Sequence, residues 1–149
     1  MILRSTSPEE TAKIAEDIAE KISPRARATV IGLSGELGAG KTVFVQAIAR
    51  VLRVAEQVQS PTFVIEKIYP LVGSRFKKLI HIDAYRIEKE SELSVLRWEE
   101  IITDSANLIL VEWPEKLGTL AKDISYTVSF RPIDEKTREL SVPEFFTPA

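Results

Sequence analysis

Ala28-Thr29-Val30-Ile31-Gly32-Leu33-Ser34-Gly35-Glu36-Leu37-Gly38-Ala39-Gly40-Lys41-Thr42 is the stretch whose reading decides the fold of this chain. Its opening, Ala28 to Leu33, is an apolar run of strand length. Its last eight residues fit G-x-x-x-x-G-K-[ST], and Val43 to Leu52, which follow, are apolar nearly all round. A strand before and a helix after make the octet a phosphate-binding loop rather than a glycine-rich turn that matches by chance. Glycines let consecutive backbone N–H groups converge on a triphosphate without Cβ clashes, and the helix that begins near Lys41 adds its positive end. Lys41 brings a mobile ammonium to the outer phosphates, and Thr42 offers its hydroxyl to Mg²⁺.

The rest of the composition bounds what such a loop can serve. A chain of 149 residues is long enough for one domain with a real core, burying ~70% of its unfolded surface, and too short for two. With 44% hydrophobic and 28% charged residues it reads as globular rather than disordered. A formal charge of -2 gives no polycationic surface, which disfavours autonomous binding to RNA or DNA. There is no cysteine, and His81 is the only histidine, so disulfides, thiolate zinc sites and histidine clusters are excluded. The start of the chain has no signal-type apolar region and no apolar run approaches the length of a membrane span, so a cytoplasmic protein without membrane contact is expected.

Ser7-Pro8-Glu9-Glu10 combines a capping box with a proline at the first helical position, and Ile14, Ala15, Ile18, Ala19 and Ile22 continue at helical spacing toward Pro24. A helix is expected there, and after the loop a second one over Val43 to Leu52, buried against the sheet. Gln59-Ser60-Pro61 reads as a loop feeding a strand from Thr62 to Tyr69, and Gly73-Ser74 turns the chain into a strand from Lys77 to Asp83, an antiparallel hairpin. Arg75, Lys77 and Lys78 beside that turn fit a solvated hairpin end better than a binding patch. Glu90 to Ile102 is expected to be helical, Asn107 to Glu112 a buried strand, and Ile124 to Arg131 with Glu139 to Val142 a closing strand pair. Pro143 and Pro148 suggest a loose tail. No repeat or interdomain linker is legible. The expected architecture is a single α/β domain over residues 1–149, a P-loop NTPase-like mixed β-sheet flanked by helices.

Hydrolysis additionally needs an acid near the metal and a means of placing water. Asn107 to Val111 form a run that ends in Glu112, the pattern that delivers a carboxylate from the C-terminal edge of a parallel sheet to Mg²⁺ beside Thr42. Asp83 ends a second strand, less cleanly alternating because His81 interrupts it. Glu112 is favoured as the direct metal carboxylate and Asp83 as the acid that holds a water, so Lys41, Asp83 and Glu112 form the expected catalytic set. His81 reads as a packed strand residue rather than a base. Arg86 is placed to neutralise phosphate charge or to pair with Glu112. Trp113-Pro114 either stops the strand and covers the core or lays the indole against nucleotide or partner. Ser60-Pro61-Thr62 stands where related folds carry segments that sense the γ-phosphate, and it is equally readable as a turn opening a strand.

GELGAGKT, Ser60-Pro61-Thr62, His81-Ile82-Asp83-Ala84-Tyr85-Arg86 and Val111-Glu112-Trp113-Pro114, in this order and spacing, resemble the bacterial TsaE family, formerly called YjeE. The resemblance covers roughly residues 5 to 117. It implies a small ATPase required for N6-threonylcarbamoyladenosine at tRNA position 37, acting with the TsaB and TsaD proteins, which would carry the tRNA contact. It also implies that Leu37, Gly38, Ala39, Gly40, Lys41 and Thr42 wrap the phosphates of ATP, that Thr42 and Glu112 hold Mg²⁺, and that Asp83 and Trp113 belong to the active region. Val43 departs from the family's frequent second threonine, and Arg97-Trp98 replace the usual glycine near the end of the Glu90 to Ile102 segment. Rival readings are a small metabolite kinase, which would need an acceptor pocket and an arginine-bearing lid, and a non-hydrolytic nucleotide-gated binding module. A GTPase is disfavoured because no N-K-x-D motif occurs.

Overall fold

The computed structural model describes residues 1–36, 38–56, 58 and 66–146. Leu37, the Ser60-Pro61-Thr62 segment and the first part of the expected Thr62 to Tyr69 strand lie outside the described residues. The strands are β1 (Ile2–Ser5), β2 (Thr29–Ser34), β3 (Glu66–Pro70), β4 (Lys78–Asp83), β5 (Asn107–Glu112), β6 (Tyr126–Pro132) and β7 (Arg138–Ser141). They form one mixed sheet in the order β1-β7-β6-β2-β5-β4-β3. β6, β2, β5 and β4 run parallel, and the outer pairs β3–β4, β6–β7 and β1–β7 are antiparallel. The strand feeding the phosphate loop is thus central, and the expected β3–β4 hairpin and closing β6–β7 pair are both present.

Two helices cover one face. Helix α1 (Pro8–Lys21) begins where Ser7 accepts the Glu10 N–H at 3.1 Å. The Glu10 carboxylate reaches back to the N–H of Thr6 at 2.8 Å, one residue beyond the usual capping-box partner. At the other end Arg75 donates to the carbonyls of Glu20 and Ile22, each at 2.8 Å, satisfying acceptors that a helix terminus leaves open. Arg75, exposed beside the hairpin turn as expected, is thus a helix clamp as well. Helix α2 (Lys41–Val51) packs along α1, and both bury their apolar faces on Ile31, Leu33, Leu108, Leu110, Val128 and Leu140. Each fully buried aliphatic side chain in this layer contributes about 1.5–3 kcal/mol. The opposite face, with Val30, Ile80, Ile82, Ile109 and Val111, is covered by Leu93, Leu96, Trp98, Ile102 and Leu117.

Two expectations are corrected, and two elements are added to them. β1 is a strand the sequence does not announce; its ladder with β7 is closed by the Met1 amine on the Val142 carbonyl at 3.0 Å, and its four residues, of which only Ser5 is buried, are too few to show a period. The helix expected over Glu90 to Ile102 is broken: a 3₁₀ segment spans Glu90–Leu96, and a short α3 spans Trp98–Ile102. Arg97 between them adopts φ +53°, which resets the buried series from the three-residue step of Leu93 and Leu96 to the four-residue step of Trp98 and Ile102. A second 3₁₀ segment, Pro114–Asp123, kinked at Gly118, follows β5. The tail is tied down as far as Phe146, which is buried and packs edge-on against Tyr126 at 5.1 Å. Among the described residues no helix is long and apolar enough to cross a membrane.

Candidate functional site

The loop between β2 and α2 lies at the C-terminal edge of the parallel strands, where open α/β sheets place their ligands. Gly35 has φ +152°, and a Cβ there would meet the Phe130 carbonyl oxygen at 2.7 Å, so only glycine lets the loop run this close to β6. Gly40, at φ +104°, caps α2 without a side chain. The first turn of this 11-residue helix is therefore turned toward the loop with no built-in capping oxygen, the arrangement that suits an anion. Ala39 is fully buried beneath the turn and Gly38 sits at its outer rim, its carbonyl held by Arg138 at 3.2 Å. Thr42 is exposed in the first turn of α2.

Lys41 is only 4% exposed. Its Nζ donates to the Gly35 carbonyl of its own loop at 2.6 Å and lies 4.0 Å from the centre of the Trp113 ring. Burial lowers its pKa from the ordinary lysine value, while Glu112, Asp83 and Glu115 pull it back up. Trp113 reaches this position because it turns the chain at φ +60° directly after β5, its N–H still bonded to the Leu33 carbonyl at 3.3 Å. Tyr85 packs against the indole at 5.2 Å. The tryptophan thus covers the lysine.

Register brings the two acids together. Leu33, Glu112 and Asp83 are opposite one another across β2, β5 and β4, so all three point to the face that carries α2. Glu112 is 4% exposed and its Oε2 is 2.7 Å from His81 Nε2. Asp83 is half-buried and accepts the Tyr85 N–H at 3.0 Å. Burial raises its carboxyl above the usual aspartate value; the Tyr85 N–H opposes this, the Glu112 charge adds to it, and His81 and Lys41 also oppose. Glu115 stands beside the loop, taking a bond from Ser34 Oγ at 3.3 Å.

The structure therefore gathers Lys41, Asp83, Glu112 and the start of α2 at one sheet edge. Arg86 is exposed and is not the partner of Glu112; His81 holds that position. His81 is indeed a packed strand residue, and its bond to Glu112 was missed, although the alternation Leu79, His81, Asp83 already put it on the acid's face. Arg138 was also passed over, because nothing in the sequence brings β7 to the loop. A cavity of about 460 Å³ opens beside the loop, lined by Ser7, Pro8, Thr11, Gly40, Val43 and Arg138 among others.

The donors at this edge fit Mg²⁺. Carboxylate and hydroxyl oxygens are the ligands of hard cations, and the single imidazole faces a carboxylate. Among the described residues no cluster of three or more acidic, histidine or cysteine side chains is arranged to hold a metal unaided. Magnesium at a phosphate site needs only one or two protein oxygens, the remainder coming from phosphate and water.

Sheet order, loop and flanking carboxylates define the class: an α/β protein of P-loop architecture. The chain belongs to the TsaE family, whose description is threonylcarbamoyl adenosine biosynthesis protein TsaE and whose model matches residues 5–140. It is 35% identical over 138 residues to the tRNA threonylcarbamoyladenosine biosynthesis protein TsaE of Aquifex aeolicus, covering 91% of this chain and 90% of that one. The TsaE of Streptomyces coelicolor is 41% identical over 96 residues, a match that spans 63% of each chain. Among solved structures, YdiB of Bacillus subtilis superposes with a TM-score of 0.68 at 27% identity, covering 95% of this chain and 83% of that one.

Proposed function

We propose that this protein binds and hydrolyses Mg-ATP in the service of N6-threonylcarbamoyladenosine formation at tRNA position 37, with TsaB and TsaD as partners through which it reaches the tRNA. The observation that carries the reading is Lys41, an ammonium buried inside its own loop and held by a loop carbonyl, in the coulombic reach of two carboxylates on the neighbouring strands. A buried cation held by so weak a counter-group is arranged to move to a better one, and the outer phosphates of ATP are that anion.

The nucleotide and its metal supply an activated γ-phosphoryl group and a divalent charge that spreads its negative charge. This chain's residues do the rest. Backbone N–H groups from Leu37 to Thr42 and the positive end of α2 cradle the phosphates. Lys41 leaves the Gly35 carbonyl and neutralises the outer oxygens. Thr42 and Glu112 hold Mg²⁺. Asp83 is less enclosed than Glu112 and is held by one backbone N–H, which supports a water-orienting role for it and the direct metal role for Glu112. The cavity beside the loop suits the base and ribose, with Arg138 at its wall. A net charge of -2 agrees with leaving tRNA contact to the partners.

The test is phosphate release by the purified protein, alone and with TsaB and TsaD, against Lys41→Ala. Slow release alone, a faster partner-dependent rate and loss of both in the variant are expected. Efficient transfer of phosphate to a metabolite instead would favour the kinase reading.

A further inference from the structure

We infer that His81 is a positioning residue that fixes the Glu112 carboxylate in one orientation and so sets the affinity of this site for its divalent cation. The inference rests on the proposed role of Glu112 as the Mg²⁺ ligand. It starts from a cost. Position 81 lies in β4 between Leu79 and Asp83 and opposite Leu110 of β5, on the sheet face packed against α2. An aliphatic side chain belongs there, yet the residue is an imidazole at 1% exposure. Burying a ring with two nitrogens is unfavourable unless they are bonded.

Among the described residues one bond compensates. His81 Nε2 is 2.7 Å from Glu112 Oε2, across 31 residues of sequence, while Nδ1 is buried with no partner among the described residues. This asymmetry selects the tautomer. With the hydrogen on Nε2, the ring donates to the carboxylate and Nδ1 is a bare lone pair; with the hydrogen on Nδ1, a donor would be buried unpaired and two acceptors would face each other. His81 is therefore a single-purpose donor aimed at one oxygen of Glu112. That bond leaves Oε1 for the cation and removes the rotation a glutamate otherwise retains. Asp83, at the same edge, is held instead by the backbone N–H of Tyr85.

Partners behind a metal ligand typically contribute 10–100-fold to metal affinity. The experiment is a titration of MgCl₂ into the full-length protein with a fluorescent ADP analogue, reading nucleotide affinity with and without the metal. His81→Leu should raise the Mg²⁺ midpoint about 10–100-fold and leave metal-free nucleotide affinity unchanged. His81→Gln, whose amide nitrogen reaches toward Glu112, should recover much of the loss, and His81→Asn, one carbon shorter, should not. If His81→Leu does not fold, the Gln and Asn pair decides alone. Glu112→Gln runs beside them: an unchanged midpoint there removes the ligand role of Glu112 itself. If Glu112→Gln shifts the midpoint and no His81 variant does, the ligand role stands and the positioning role is overturned. Equal shifts in all three His81 variants would reduce His81 to a packing residue.

Discussion

Replacing Lys41 by methionine separates what the lysine does for the fold from what it does for the ligand. In the free protein the change removes a charge-assisted bond to the Gly35 carbonyl, about 1.5–3 kcal/mol, and a contact with the Trp113 ring, about 0.5–2 kcal/mol. It also removes the cost of burying an ammonium, which is several kcal/mol per ion and opposes both. These terms nearly cancel, so the free variant should melt within about 5 °C of the parent. The ligand response should not survive. Saturation at ~100 times the Kd contributes about 2.7 kcal/mol. For 149 residues the unfolding entropy is about 0.3 kcal/mol/K, so Mg-ATP should raise the parent's melting temperature by about 9 °C. The assay is a thermal melt of both proteins with and without Mg-ATP. A methionine variant that keeps most of the shift, or a parent that shows none, refutes the reasoning.

Asp83→Asn keeps the Tyr85 N–H bond and removes a carboxyl whose pKa is raised by burial, so the free variant should be more stable than the parent near neutral pH. The raised folded-state value makes the parent catch up as pH falls through it, because its folded form takes up the proton first; melts between pH 7 and pH 4 follow this. The same variant should lose hydrolysis on the order of 10²-fold, measured by phosphate release. Gly35→Ala should destabilise by about 1–3 kcal/mol in urea unfolding, from a positive φ and the close Phe130 carbonyl. Arg75→Ala should cost about 1–2 kcal/mol by the same measurement, through the two α1 carbonyls it leaves open, with nucleotide affinity unchanged.

The parts of the fold legible in the sequence are those in which one local signal suffices. Ser7 to Glu10 announce α1, the octet ending at Thr42 announces the strand, turn and helix around it, and the run into Glu112 announces a buried parallel strand. What escaped depends on partners distant in sequence. β1 exists because β7 offers it an edge, and Phe146 is buried because Tyr126 lies under it. Arg97 breaks a helix that its neighbours' propensities allow, since the face it covers needs Leu96 and Trp98 both inward. The site shows the same division. Lys41, Asp83 and Glu112 are visible as loop and strand-end residues, whereas the His81 bond and the arrival of Arg138 follow from register and from a hairpin closing over the loop.

The most direct test of the central claim is multiple-turnover tRNA modification at substoichiometric TsaD with TsaB, with this protein and ATP added or withheld. The account predicts that repeated turnover requires both and disappears with Lys41→Ala. Repeated turnover without this protein, or undiminished turnover with the variant, would contradict it.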